Sequence, residues 1–177
     1  MRATLLLCLA GLLALAGCND DSSTSNTSFE RGPLLENMAS NFILPAYRQM
    51  EQETEALQVL AEVFTQNPDA TALSDLQAGW RSAKLSWERA AYFNFGPIEF
   101  LGLETSVDNW PANRFGIESS INTEETIDQT YLQTLASNRK GLPAMEYLLF
   151  DGTPEEVIAR FTSSPKRGAY LLATSVA

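Results

Sequence analysis

Any chemistry in this chain has to do without an imidazole, and its most plentiful ionisable side chains are carboxylates. The 177 residues hold 22 Asp and Glu, 12 Lys and Arg, two Cys and no His. Without an imidazole there is no Ser-His-Asp relay and no HExxH zinc site. Two carboxylates stand beside aromatic side chains: Glu146 before Tyr147, and Asp108 two residues before Trp110. Glu146 reads as a cleft-facing group that binds a cation or a substrate amine, or as a first-turn residue capping N–H groups behind Pro143. Asp108 and Trp110 read as a wall of a ligand cleft, or as an Asx-type turn with an aromatic plug over a bundle end. Glu99, Glu104 and Glu118 add carboxylates to the same region. Oxygen donors of this kind suit ferric iron, calcium or magnesium better than zinc. A hydrolase would be left with a Ser-Lys pair, an aspartic dyad or a carboxylate-held metal. The lysines are Lys84, Lys140 and Lys166, with Ser82, Ser86 and Ser137 near the first two along the chain. Capture is therefore favoured over cleavage. A formal charge of −10 with no basic run excludes binding to nucleic-acid phosphates.

The elements that position these residues read as helices. From Phe29 to Gln66, Leu34, Leu35, Met38 and Phe42 recur at helical spacing. The period resumes as Tyr47, Met50, Thr54, Leu57, Ala61 and Phe64. Pro45 predicts a kink or break between the two runs. A second helix is expected over about Thr71 to Phe93, with Leu73, Leu76, Trp80, Ala83, Trp87 and Ala90 on its buried stripe. Gly96 and Pro97 end it. Gly102 to Asn122 predicts a long irregular connection that packs through Trp110, Phe115 and Ile117. A third helix is expected from Thr123 or Thr126 through Leu135, and a fourth from Gly141, with Met145, Leu148 and Leu149 buried. Thr153-Pro154-Glu155-Glu156 is a capping box that opens a fifth helix, and Ser164-Pro165 opens the last. No long alternating run predicts a sheet. The expectation is an all-α helical bundle. Its last helix must bury Tyr170, Leu171 and Leu172, or else belong to a fold that continues past Ala177.

The first residues read as an address. A single Arg2 precedes an uncharged apolar run from Ala3 to Ala16, shorter than the roughly 20 residues that span a bilayer. The run ends in Leu15-Ala16-Gly17-Cys18, which resembles the lipobox of bacterial lipoproteins. The resemblance implies a leader over 1–17 and lipidation of Cys18. Cys8 would leave with the leader, so no free thiol would remain. Losing Arg2 would leave 11 basic and 22 acidic residues, a charge of −11. Residues 19–28, NDDSSTSNTS, have the composition of a flexible tether. The expected place is a bacterial cell envelope, on the periplasmic face of the outer or inner membrane, held through the lipid.

Four stretches in order resemble the imelysin family of bacterial periplasmic helical proteins: Asn41 to Tyr47; Trp87-Glu88-Arg89 with Phe95-Gly96-Pro97; Asp108-Asn109-Trp110-Pro111; and Arg139 to Phe150. The resemblance covers 29–177. It implies two related helical bundles, of which this chain supplies the first and the start of the second. It also implies a link to iron uptake, and for some members a peptidase class. The family hallmark GxHxxE falls on Gly141 and Glu146, with Pro143 where the histidine would stand. Proline offers neither a side-chain lone pair nor an N–H. The resemblance thus marks Gly141 and Glu146, with Asp108 and Trp110, as candidate ligand-binding residues. Glu146 is the candidate metal ligand, for iron or another divalent cation. The expectation is a non-enzymatic, membrane-anchored binding protein linked to iron or metal uptake. The alternatives are a peptidase-like hydrolase using Glu146, or a helical scaffold for an envelope partner.

Overall fold

The computed structural model describes residues 30–175. The leader, Cys18 and the 19–28 tether lie outside them. Helix α1 (Arg31–Met38) passes into one wide, π-helical turn (Ala39–Ile43) and then into α2 (Leu44–Gln66). The expected break at Pro45 takes this form for a physical reason. Proline lacks the N–H and crowds the carbonyl four residues back, and a widened turn relieves both without ending the helix. Asn67 and Pro68 end α2, and Asp69 caps α3 (Ala70–Ala91) by accepting from Ala72 N at 2.8 Å. The remaining helices are α4 (Pro97–Phe100), α5 (Leu103–Val107), α6 (Arg114–Ile121), α7 (Gln129–Thr134), α8 (Gly141–Phe150), α9 (Pro154–Ser163) and α10 (Pro165–Ser175). A 3-10 turn (Ser137–Arg139) leads into α8. Among the described residues there is no strand, and no helix is long and apolar enough to cross a membrane.

The body beginning at Leu35 is organised around the antiparallel pair α2 and α3. Leu57, Ala61 and Phe64 face Leu73, Leu76, Ala83 and Trp87. Helices α8, α9 and α10 lie against this pair and contribute Met145, Leu148, Leu149, Val157, Phe161, Tyr170 and Leu171. The rings of Phe64 and Phe161 meet edge to face at 4.9 Å. Helix α10 therefore closes this core with Tyr170 and Leu171, while Leu172 is half-buried. The capping box at Thr153 forms as expected. Its hydroxyl accepts from Glu156 N at 3.3 Å, and Glu156 accepts from Thr153 N at 2.9 Å.

Four expectations are corrected. The 102–122 connection is not irregular: it folds into α5 and α6, joined by six residues. Asn113 starts α6 by accepting from Gly116 N at 2.9 Å, an Asx cap that an irregular reading overlooks. Of the three side chains expected to pack, only Ile117 is buried, while Trp110 and Phe115 are largely exposed. Their neighbours Gly116 and Ile117 take the inward face of a short helix, which turns Phe115 outward. The third expected helix starts late. Asp128 rather than Thr123 or Thr126 caps it, accepting from Tyr131 N at 2.8 Å. The apolar stripe also divides. Leu57, Ala61 and Phe64 are core, whereas Leu35, Met38 and Phe42 remain exposed.

Candidate functional site

The site is built on α8, which is fixed by α5 and by α3. Gly141, its first residue, has φ +72°, and a Cβ there would stand 2.4 Å from the carbonyl oxygen of Val107. Both the left-handed backbone and the contact with α5 require glycine. From α3, Trp80 Nε1 donates to Leu142 O at 2.9 Å and Gln77 Nε2 donates to Leu149 O at 2.7 Å. The ring of Phe150 packs edge-on to Trp80, with Arg81 over its face. Clamped at both ends, α8 turns Leu148 and Leu149 inward. Glu146 is exposed, and Tyr147 and Phe150 are half-buried.

The 108–113 segment lies over that outer face. Asn109 Nδ2 donates to Ser137 Oγ, and Asn113 N donates to Asn138 O at 2.8 Å. The Trp110-Pro111 peptide is cis. Between this segment and α8 lies a cavity of about 240 Å³, lined chiefly by Trp110, Arg114, Pro143, Glu146, Tyr147 and Asp151. Arg114 stacks over the Tyr147 ring at 5.3 Å and pairs with Asp151 at 2.9 Å. Asp151 is also held by Arg160 at 3.3 Å. The Tyr147 hydroxyl donates to Glu118 Oε1 at 2.8 Å. Burial first, and then this bond to a carboxylate, raise the Tyr147 phenol above its ordinary range.

The structure brings Trp110 and Glu146 onto one cavity, together with Pro143. The Glu146 carboxylate has no hydrogen bond or ion pair with any described residue, so it does not cap the N–H groups of α8. Gly141 lies away from this cavity, beneath α5. Asp108 points elsewhere: Oδ2 receives Lys84 Nζ in a short contact and Trp87 Nε1 at 3.1 Å. Glu118 is occupied by Tyr147 and Arg167, and Glu104 accepts from Asn94. Among the described residues no three His, Cys, Asp or Glu converge so as to hold a metal ion. The described residues around Glu146 therefore do not by themselves make up a metal ion's donor set. Glu146 offers one carboxylate, Asp151 is shared by two arginines, and Pro143 has no lone pair to give.

Arg114 and Asp151 are cavity residues that reading the sequence did not single out as a site. A signal was present: Tyr147 and Asp151 are four apart on α8 and its end, hence on one face. Nothing local foretold that Arg114, 37 residues earlier, would reach Asp151.

Comparison with known proteins agrees with this architecture. The family model described as imelysin, peptidase M75, matches residues 43–176. The chain is 26% identical over 142 residues to iron-regulated protein A of Synechococcus elongatus, covering 80% of this chain and 36% of that protein. Among solved structures, one described as an iron-regulated protein A precursor from Parabacteroides distasonis superposes with a TM-score of 0.67 at 26% identity. It covers 81% of this chain and 40% of its own. An imelysin-like protein from Psychrobacter arcticum gives 0.68 at 20% identity, over 81% of this chain and 45% of its own, a likeness of fold. The chain thus spans well under two thirds of the length of the proteins it matches. With a helical fold shared across these proteins and a family match over most of its length, this chain belongs to the imelysin family.

Proposed function

We propose that this chain is an envelope-tethered binding module of the imelysin type, one that captures a ligand in the service of iron or metal supply and does not hydrolyse it. One observation carries the reading: Trp110 of the 108–113 segment and Glu146 of α8, a carboxylate without a partner among the described residues, line one cavity. The names of two relatives, both iron-regulated protein A, support the link to iron. The absence of histidine weighs against hydrolysis, because a water or a serine would need another base of suitable strength. Since the described residues of the site offer a single carboxylate without a partner, iron would enter with its own donors, as a chelate. The lipobox-like Leu15-Ala16-Gly17-Cys18 supports the anchor, with lipid on Cys18 and the membrane as the partner.

The test uses the purified full chain. Ferric citrate, calcium and magnesium are added in turn while thermal unfolding is followed. A ligand held by the folded state raises the midpoint by mass action. Glu146→Ala should leave the unliganded midpoint in place and abolish the shift. Mass spectrometry of the mature N-terminus should find an acylated Cys18. Cleavage of a peptide substrate, lost in Glu146→Ala, would instead favour the hydrolase. A second reading is favoured by Leu35, Met38 and Phe42, exposed at spacings of three and four on one helical run. They suit a scaffold that meets an envelope partner, and a chain indifferent to every cation but retained by such a partner would support it.

A further inference from the structure

The cavity contains its own example of how it treats a cation. The Arg114 guanidinium lies over one aromatic ring, Tyr147, and beside one carboxylate, Asp151. The same cavity holds a second ring and a second carboxylate, Trp110 and Glu146. No cation among the described residues occupies that pair. Trp110 is 73% exposed, and Glu146 has no ion pair or hydrogen bond among the described residues. We propose that Trp110 and Glu146 form a receiving site for a guanidinium group, carried by a small molecule or by an arginine side chain of a peptide. This rests on the reading of the cavity as the binding face and names its ligand class.

The chemistry favours guanidinium over a metal ion or an anion. A planar, weakly hydrated guanidinium stacks on an indole face and presents paired donors to a carboxylate. Indole is the strongest of the aromatic faces for a cation. Of the three charged side chains that line the cavity, Arg114, Glu146 and Asp151, two are acidic, and Asp151 is engaged by Arg114 and by Arg160 from outside the lining, which leaves Glu146 as the carboxylate open to an incoming cation. The chain's formal charge of −10 draws cations toward it. A bare metal ion finds too few donors there.

The experiment titrates the purified full chain with ethylguanidinium chloride, using urea at equal concentration as the uncharged planar control. A second arm uses the peptide Ala-Ala-Arg-Ala-Ala. Calorimetry gives the affinity, and the indole N–H resonances report the place. Saturable binding of ethylguanidinium but not urea is expected, with the Trp110 resonance moving while those of Trp80 and Trp87 stay. Glu146→Gln, an exposed and isosteric change, should weaken binding about fivefold or more, and Trp110→Leu by a similar factor. Peptide binding tighter than ethylguanidinium assigns the group to a polypeptide ligand; equal binding assigns it to a small molecule. Equal response to urea, or unchanged affinity in Glu146→Gln, overturns the inference. A chain that responds to ferric citrate but not to ethylguanidinium keeps the capture reading and loses this one.

Discussion

Arg167 places one nitrogen, Nη2, 2.6 Å from each carboxylate oxygen of Glu118. The arginine is buried on α10, and the glutamate is half-buried on α6. Tyr147 of α8 donates to the same carboxylate, so three helices that meet behind the cavity share one anionic centre. The wall that carries Tyr147, and with it the stacked Arg114, is held in place through this centre.

Replacing Arg167 by Met should therefore destabilise the fold more than a surface change would. Removing one partner of a buried pair costs about 3–5 kcal/mol. Because Glu118 retains some contact with solvent, the lower end is expected, about 3 kcal/mol. Urea unfolding measures it, and Glu118→Gln in the same chain should recover part of the loss.

Gly141→Ala should be among the most damaging small substitutions. The backbone is left-handed there, and the new methyl would press on the Val107 carbonyl, a main-chain group that cannot swing aside. Strain and overpacking together predict a loss of about 3 kcal/mol. Retained stability in chemical denaturation would mean that α5 can shift away from α8.

Asp108→Ala tests whether that residue supports the fold or the ligand. It would strip a carboxylate from Lys84 and leave the Trp87 N–H unpaired. A loss of about 2 kcal/mol is expected, with a change in tryptophan emission. Any ligand response at the Glu146 cavity should persist in the surviving folded protein.

Stability should fall in alkali because of two phenols. Burial raises Tyr170 above its ordinary range, and burial with the Glu118 bond raises Tyr147. In the unfolded chain both ionise near pH 10, while in the folded chain they keep their protons higher. Below about pH 10 their contribution is fully present; above it the unfolded state binds fewer protons and gains. Denaturation midpoints should hold from about pH 8 to about pH 10 and decline above it, less steeply in Tyr147→Phe and Tyr170→Phe.

Much of the architecture was legible in the sequence. The stripe of α3, the proline-led starts of α9 and α10 and the Thr153 capping box are local rules, set by contacts within a few residues, and they hold in the structure. The resemblance pointed to the right family for the same reason, since its motifs lie where helices begin, end and cross. Local rules failed where two short helices were capped by Asn113 and Asp128 inside a stretch rich in turn residues. There a single side-chain cap outweighs composition.

What the chain determines alone is thus its helical character, its caps and breaks, its acidity, and the lack of any imidazole. Tertiary structure decided which carboxylate is free. Asp108, Glu118, Glu146 and Asp151 look alike along the sequence. Three of them meet cations 24, 49 and 37 residues away, and Glu146 meets none among the described residues. That choice depends on how α3, α6, α8 and α10 cross, which is fixed by the packing of the whole apolar core and not by the neighbours of any one carboxylate.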